Sequence, residues 1–403
     1  MTELRAVTAE EMEQFIDAEA VAFGETRNPY WDRWVRRVIA PEMTLAVFEQ
    51  DRVVATLAAL PRELAVPGSS CPTAAITAVG VLPTHRRRGL LRRLMAEQLH
   101  RGRAEGLALA ILWASEGGIY GRFGFAPATR RLQLSLAAPA KLEAAPPEAG
   151  ALRLVPRDEA LRLLPGIYER GLAGRPGWLR RDQTQWELAL AEGDPHLPLS
   201  EARRFVALHG TPPDGYLVYR VRQGESQAMA SNTVLVEELV ADGPAPIAAL
   251  WHLATQLDLT RRVEARNRPL DDPLLWLAAD AQGLELVNRA GIWARILDVP
   301  MALETRRYQA DGELVLEVLD ESLPEVGGRF RLQVREGTAR CLPSRAEPEL
   351  RLELAQLSGG YLGLPHFAAQ ARAGRLSELA PGAARRLDQL LGWDPPPWCL
   401  DEF

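Results

Sequence analysis

The chain has 403 residues, of which 47% are hydrophobic and 25% charged, and this composition and length predict a folded protein of two or three domains. The formal net charge of −6 argues against a general nucleic-acid-binding protein, which usually carries a basic domain, and suits a small cationic substrate better. Three cysteines, odd in number and far apart, fit a reducing compartment. Neither the cysteines nor the six histidines have the spacing of metal ligands, so no metal is expected.

The beginning of the chain and its hydropathy bear on location. The opening MTELRAVTAEEMEQF carries acids where a signal peptide needs bases. No apolar run approaches membrane-spanning length. These features predict a cytoplasmic protein with no membrane partner.

Residues 1–140 are predicted to form a mixed α/β domain. A helix at AEEMEQFIDAEAVAFG precedes strands around MTLAVFEQDRVVATLAALP, and the β-branched run TAAITAVGVL (73–82) predicts a further strand. An amphipathic helix follows Gly89, the next strand is ALAILWAS, and FGFAPATRRLQLSL is predicted to close the domain. The stretch 137–150, rich in Pro, Ala and Gly, predicts a linker.

Two further domains are predicted after the linker. Residues 150–292 repeat the order strand, helix, hairpin, strand, turn and helix, which suggests a duplicated α/β domain. Residues 293–403 alternate apolar and polar positions around Gly-Gly and Glu-Gly turns and then become helical, as an α+β domain does.

The turn PTHRRRGLLRR between a predicted strand and a predicted helix is the most distinctive feature of the chain. The first N–H groups of a helix lack partners within it, and the helix dipole places partial positive charge there. Gly89 lets the backbone approach a ligand, and arginines flank it. The turn therefore predicts a cradle for an anion such as a pyrophosphate, with a solvated arginine cluster as the alternative. The patterns of a P-loop and of a dinucleotide fingerprint are missing.

The residues Arg86-x-x-Gly89-x-Leu91 resemble the Q/R-x-x-G-x-G/A turn of the GNAT (GCN5-related N-acetyltransferase) superfamily, although Leu91 departs from its last position. The stretches VLPTHRRRGLLR, ASEGGIYGRFGFAPAT and GGRFRLQVREGTARC and the terminal EF resemble the Eis-like (enhanced intracellular survival) N-acetyltransferases. The resemblance implies two tandem GNAT-like domains followed by a sterol-carrier-protein-like (SCP2-like) domain, assembled as a hexamer. It also implies an enzyme that uses acetyl-CoA to acetylate amines of aminoglycosides, polyamines or lysine side chains.

The same resemblance assigns site residues. A strand that presents backbone groups, the pyrophosphate turn and a second contact would bind the coenzyme: Val79, Gly80, Val81, Arg86, Arg87, Arg88, Gly89, Leu90, Leu91, Arg92, Ser115 and Glu116. Tyr120 would be the general acid and the α-carboxylate of Phe403 the general base.

The chemistry of these residue types suits the two roles. A tyrosine, with an ordinary pKa near 10, donates a proton to a leaving thiolate when it lies within hydrogen-bond reach. The tail GWDPPPWCLDEF is stiff and apolar enough to dock, which would hold the terminal carboxylate still. The alternatives are a tyrosine packed in the core and a tail that only joins two domains.

Three residues are candidates for the acceptor site. Asp401 and Glu402 would attract a cationic substrate. Trp34 would contact an amine through its ring, with packing as the alternative.

The second domain is expected to bind no coenzyme, because Asp242 and Pro244 stand where the cradle needs arginines and free amides. A different reading of the whole chain is a lipid-binding carrier with inactive acetyltransferase domains.

Overall fold

A computed structural model describes residues 2–27, 29–148, 150–192, 203–224 and 231–403. The chain divides into two compact units, of which one comprises residues 1–129 and 290–403 and the other residues 130–289. Within the described ranges, no helix is both long enough and apolar enough to cross a membrane.

The strands follow in chain order. They are β1 (Thr2–Arg5), β2 (Thr44–Glu49), β3 (Arg52–Val66), β4 (Ser69–Val81), β5 (Leu109–Trp113), β6 (Ala126–Pro127), β7 (Arg130–Ala137), β8 (Leu152–Val155), β9 (Phe205–His209), β10 (Gly215–Arg222), β11 (Asn232–Ala241), β12 (Thr260–Arg268), β13 (Glu285–Ala290), β14 (Ile292–Ile296), β15 (Gly312–Leu319), β16 (Gly328–Arg335), β17 (Thr338–Pro343), β18 (Leu350–Glu353) and β19 (Ser377–Glu378).

The α-helices are also numbered in chain order. They are α1 (Met12–Phe23), α2 (Pro29–Val38), α3 (Leu90–Ala104), α4 (Gly117–Tyr120), α5 (Arg157–Leu172), α6 (Gln183–Ala189), α7 (Pro244–Thr255), α8 (Leu274–Leu277), α9 (Val299–Thr305), α10 (Leu354–Gly360), α11 (Phe367–Arg372) and α12 (Ala383–Leu391).

The first sheet has the order β1-β2-β3-β4-β5-β14-β6. Strands β4 and β5 are parallel, as the intervening helix α3 requires, and they pair only from Thr73–Ile76 to Leu109–Leu112. Beyond Ile76 the two strands no longer share a ladder. The opening between them is where a ligand can reach main-chain groups that would otherwise be paired.

The expectation that FGFAPATRRLQLSL closes the first domain is wrong for its second half. Strand β7 pairs with β12 in the second sheet, whereas β14 pairs with β5 and β6 in the first. The side chains of Leu132, Leu134 and Leu136 accordingly join the core of the second unit. The alternating pattern of β7 satisfies either sheet, so the pattern alone does not determine which one it joins.

The second unit contains a sheet of order β13-β7-β12-β11-β10-β9-β8, with β11 and β12 parallel and α7 between them. This is the same strand, turn, helix and parallel strand that the first sheet has at β4, α3 and β5. The predicted linker is partly packed against this unit, because Leu142 is buried and forms a bridge with Ala278.

The C-terminal part of the chain forms a five-stranded sheet of order β17-β16-β15-β18-β19. Helix α10 contacts it at β15 and β18, and α12 contacts it at β15. The interior is filled by side chains such as Leu316, Leu332, Leu350 and Leu357, all of them buried. This is the α+β arrangement that the sequence predicts.

Candidate active site

A cavity of about 830 Å³ opens where β4 and β5 separate. It gathers most of the predicted coenzyme-binding residues together with the predicted general acid: Val79, Gly80, Val81, Arg86, Arg87, Gly89, Leu90, Leu91, Arg92, Ser115, Glu116 and Tyr120. Its volume is in the range of ordinary cofactor sites.

A β-bulge in β4 forms one wall of the cavity. The pairing with β3 runs from Thr56 opposite Gly80 directly to Ala58 opposite Thr77, so β4 carries an extra residue here. Ala78 has a φ of 50°, and its carbonyl oxygen accepts a hydrogen bond of 2.9 Å from the Thr56 hydroxyl. A Cβ at Gly80 would lie 2.7 Å from the Cβ of Ala22, so only glycine fits there.

The basic turn forms the second wall. Arg87 has a φ of 64° and Gly89, which precedes α3, a φ of 77°. Left-handed residues within a turn orient successive amides toward one side, which is the geometry of an anion site. Gly89 has no side chain with which to cap α3, so the first amides of the helix can bind a ligand.

The arginines of this turn have different roles. Arg86 donates hydrogen bonds to the carbonyl oxygens of Ala22 (2.9 Å) and Val81 (3.4 Å), so its guanidinium fastens the turn to α1 and β4. The guanidinium of Arg88 lies 3.5 Å from the carboxylate of Glu49, and Arg88 does not line the cavity. Arg87 and Arg92 line the cavity, and neither pairs with a carboxylate among the described residues, which leaves their charges for a ligand.

Glu49 binds two residues of the basic turn, His85 and Arg88. It accepts a hydrogen bond of 2.9 Å from His85, which lines the cavity. This hydrogen bond, with the charge of Arg88, lowers the pKa of the Glu49 carboxyl.

Tyr120 is the last residue of α4 and is 5% exposed. Burial raises the pKa of its phenol, the negative charge of Glu116 raises it further, and a hydrogen bond with Ser115 opposes the shift. Its ring packs edge-on against that of Phe125, with 6.4 Å between the ring centroids. A buried phenol that stays protonated and lines a cavity can act as an acid.

The C-terminal tail is docked, as its composition predicts. Trp398, Cys399 and Leu400 are buried, and the carbonyl oxygen of Asp401 accepts a hydrogen bond of 3.0 Å from the indole N–H of Trp113. Trp113 is the last residue of β5, two positions before Ser115. The tail is thereby attached to the strand that leads into the cavity.

Five predicted site residues do not line the cavity: Trp34, Arg88, Asp401, Glu402 and Phe403. Six lining residues were not predicted: Ala22, Phe23, His85, Ile119, Arg122 and Phe123. Ile119, Arg122 and Phe123 surround Tyr120 in sequence, and this neighbourhood was the available signal. Ala22 and Phe23 belong to α1, which the sequence does not place beside β4.

The equivalent turn of the second unit differs from the basic turn in charge and in its N–H donors. The carboxylate of Asp242 lies 2.5 Å from the guanidinium of Arg170, and Pro244 is the first residue of α7. Pro244 removes one N–H donor from this turn, and Asp242 places a negative charge where the first turn has arginines. The absence of coenzyme binding here stays a prediction. Across the ranges that the structure describes, no group of three or more His, Cys, Asp or Glu could hold a metal ion.

Known protein families share this domain architecture with the chain. The chain matches models of the acetyltransferase (GNAT) domain over residues 3–128 and 177–319, and of the sterol carrier protein domain over residues 299–400. The fold and the site thus define an N-acetyltransferase of the GNAT class, with two GNAT domains followed by a sterol-carrier domain.

Individual relatives narrow the class to a family. N-acetyltransferase Eis of Mycobacterium bovis is 40% identical over 84% of this chain and 83% of its own. An uncharacterized N-acetyltransferase of Streptomyces avermitilis is 35% identical over 91% of this chain and 89% of its own. The crystal structure of Eis1 from Mycobacterium abscessus covers 100% of both chains with a TM-score of 0.86 and 30% identity. The chain belongs to the Eis family of N-acetyltransferases, which confirms the resemblance seen in the sequence.

Proposed function

We propose that the protein transfers the acetyl group of acetyl-CoA directly to a primary amine in a ternary complex. The observation that carries this proposal is the single cavity that brings together the bulge of β4, the N-terminus of α3 and the buried phenol of Tyr120. These supply main-chain groups, an anion cradle and a proton donor in one place.

The residues of the cavity suit acetyl-CoA as the donor. The amides at Gly89 to Arg92 and the side chains of Arg87 and Arg92 would hold the diphosphate. Val79 and Val81, beside the bulge, would offer main-chain groups to the pantetheine arm. Leu91 departs from the small residue usual in such turns, and its side chain is half-buried in the cavity wall.

The chain's own groups accept and donate the protons of the reaction. Acetyl-CoA, when bound, supplies an acetyl group activated as a thioester. The α-carboxylate of Phe403 accepts a proton from the acceptor's ammonium group, because only the neutral amine carries the lone pair that attacks a carbonyl carbon. The carbon–nitrogen bond forms as the carbon–sulfur bond breaks, and Tyr120 donates its proton to the sulfur of the departing thiol. The second proton that the nitrogen loses on becoming an amide returns to the phenolate of Tyr120, directly or through solvent, and the carboxyl of Phe403 releases its proton to solvent.

The acceptor in this proposal is a small cation such as an aminoglycoside, a polyamine or a lysine side chain. The net charge of −6 favours approach of a cation, and Asp401 and Glu402 on the docked tail add local negative charge. Trp34 on α2 would contact the amine through its ring. We further propose that the protein works in the cytoplasm as a homohexamer, and sedimentation of the purified protein at six chain masses would support that state.

The three parts of the chain would divide the work. The first GNAT domain, within residues 1–129, binds acetyl-CoA, residues 130–289 form a degenerate domain without coenzyme, and the C-terminal domain supplies the tail that carries Phe403. The bound donor is therefore expected at one site per chain, which isothermal calorimetry with acetyl-CoA measures.

Release of free thiol from acetyl-CoA with a panel of amines tests the activity. The expected result is amine-dependent thiol release, with the acetylated amine identified by mass spectrometry. The competing function is a lipid carrier with inactive GNAT domains, since the chain also matches the sterol carrier domain. No turnover with any amine, together with lipid extracted from the purified protein, would establish the carrier instead.

Arg92→Gln is expected to raise the KM for acetyl-CoA about tenfold, because one charge-assisted hydrogen bond is lost. The matched control is Arg93→Gln on the same helix, since the Arg93 guanidinium binds the hydroxyl of Thr2 and does not line the cavity. Steady-state kinetics of both variants at several salt concentrations is the measurement. An equal rise of KM in the two variants would show that the arginines act only through the general charge of the surface.

A further inference from the structure

A buried arginine of β14 contacts the segment that carries Tyr120. Arg295 is 0% exposed, and one of its terminal nitrogens donates a hydrogen bond of 2.6 Å to the carbonyl oxygen of Phe123. Phe123 follows Tyr120 by three residues and also lines the cavity. Arg295 itself is not among the cavity-lining residues, so it does not touch a ligand there.

The backbone around Phe123 makes room for this guanidinium. Gly124 has a φ of 79°, and a Cβ at this position would lie 1.7 Å from the terminal nitrogen of Arg295. The segment then folds back on itself, because the N–H of Gly124 donates to Gly121 and that of Phe125 to Tyr120. Phe123 and Tyr120 therefore belong to one hydrogen-bonded turn, so that a displacement of the Phe123 carbonyl would also displace the phenol.

The other end of the guanidinium is held by the C-terminal part of the chain. A carboxylate oxygen of Asp320 lies 2.5 Å from Arg295, and the Asp320 side chain is 3% exposed. The second oxygen of Asp320 accepts hydrogen bonds from the N–H (3.0 Å) and hydroxyl (2.8 Å) of Ser322. The carboxylate therefore has a fixed direction, and it fixes the arginine.

The energetics of the Arg295–Asp320 ion pair favour a role in positioning the neighbouring segment over a role in stability. Burial lowers the pKa of the Arg295 guanidinium, and the charge of Asp320 opposes that shift. The Nε atom of Arg295 is buried without a hydrogen-bond partner. A buried ion pair is often no more stabilising than an apolar pair of similar volume, so stability alone gives little reason to place one here.

We propose that Arg295 is a positioning residue, which, oriented by Asp320, holds the segment 117–124 so that the phenol of Tyr120 points at the reacting thioester. The inference rests on the proposed role of Tyr120 as general acid. Through it, the C-terminal domain acts on the catalytic centre by a second route besides its tail.

Arg295→Lys keeps the charge but loses the planar fork that binds Asp320 and Phe123 together. It is expected to lower kcat about 100-fold, which is the effect of a displacement of about 1 Å at a reacting group. The dissociation constant of acetyl-CoA is expected to stay within about twofold, because the cradle belongs to other segments. Water admitted to the loosened turn would lower the pKa of Tyr120, so the alkaline limb of the kcat profile should move to lower pH.

The matched control is Arg268→Lys in the second unit. Arg268 is also buried, lies 2.6 Å from the buried Asp272, and donates to the carbonyl oxygen of Leu239. The Arg268→Lys substitution thus disrupts a buried arginine–aspartate pair that lies away from segment 117–124. A loss of kcat in this control equal to that in Arg295→Lys would overturn the inference and reveal a general effect of destabilisation.

A double-mutant comparison separates the inference from the function it rests on. If Arg295 acts through Tyr120, Arg295→Lys lowers kcat far less in a Tyr120→Phe background than in the wild type. Equal factors in both backgrounds would overturn the positioning role while leaving Tyr120 as the acid. Wild-type kcat in Tyr120→Phe alone would instead reject the acid.

Asp320→Asn is the second variant, for the case that Arg295→Lys does not fold. It preserves side-chain volume and leaves the arginine beside Phe123, and it is expected to lower kcat about tenfold because the guanidinium loses its orienting charge. Near-ultraviolet circular dichroism and thermal unfolding verify the fold of each variant. Wild-type kcat and an unmoved alkaline limb in folded Asp320→Asn would count against the proposal.

Discussion

Tyr120→Phe is expected to lower kcat by about 100-fold or more, because general acid catalysis contributes on that scale. The substitution keeps the ring in its edge-on contact with Phe125 and removes only the hydroxyl. The affinity for acetyl-CoA is therefore expected to change little. Stopped assays of thiol release with calorimetry of acetyl-CoA binding separate the two quantities.

The pH dependence of kcat gives an independent readout of the same residue. Burial and the charge of Glu116 raise the pKa of Tyr120, so the phenol stays protonated to a higher pH than an ordinary tyrosine. An acid is active when protonated, and kcat of the wild type should fall only above that raised pKa. This alkaline limb is expected to disappear in Tyr120→Phe.

Tyr308→Phe is the matched control for the loss of a buried phenol. Tyr308 is 5% exposed and donates a hydrogen bond of 2.6 Å to the carbonyl oxygen of Leu303, away from the cavity. Its loss is expected to cost about 1–3 kcal/mol of stability without changing kcat. A Tyr120→Phe enzyme that turns over at the wild-type rate would reduce Tyr120 to a packing residue.

Addition of one glycine after Phe403 is expected to lower kcat by about 100-fold, because it converts the α-carboxylate into a peptide group and moves the charge one residue away. The tail should still dock, since Trp398, Cys399 and Leu400 are buried and Asp401 is bound by Trp113. Acetyl-CoA affinity is accordingly expected to be unchanged. Rapid-quench measurement of acetyl transfer, with calorimetry, tests both expectations.

Phe403→Ala is the matched variant, because it removes the half-buried ring and keeps the carboxylate in place. A smaller loss of kcat in Phe403→Ala than in the extended chain would assign the effect to the carboxylate. Full activity of the extended chain would exclude the base and leave the tail as a connection between domains.

The local elements around the cavity were predictable from the sequence. The β-branched run that ends at Val81, the glycine at the start of α3 and the apolar spacing of Leu94 and Leu99 are local signals, and the structure has that strand, turn and helix. The docked tail followed in the same way from its apolar and proline-rich composition. The motifs of the basic turn and of the segment around Tyr120 also indicated the family.

The arrangement of strands between the two sheets was not predictable in this way. Strands β7 and β14 have ordinary alternating or apolar patterns. Such a pattern fits a position in either of the two sheets. Only long-range packing distinguishes the two partners. The placement of Arg295 beside Phe123 depends on this exchange, because β14 lies between β5 and β6.

The arginines of the basic turn show the same division between sequence and structure. The sequence by itself determined that a cluster of positive charge stands at the N-terminus of a helix after a buried strand, because strand, turn and helix are encoded by neighbouring residues. Only the tertiary structure decided that Arg86 binds main-chain carbonyls, that Arg88 faces Glu49, and that Arg87 and Arg92 line the cavity. The partner of a charged side chain is set by distances between segments far apart in the chain, and local pattern does not contain those distances.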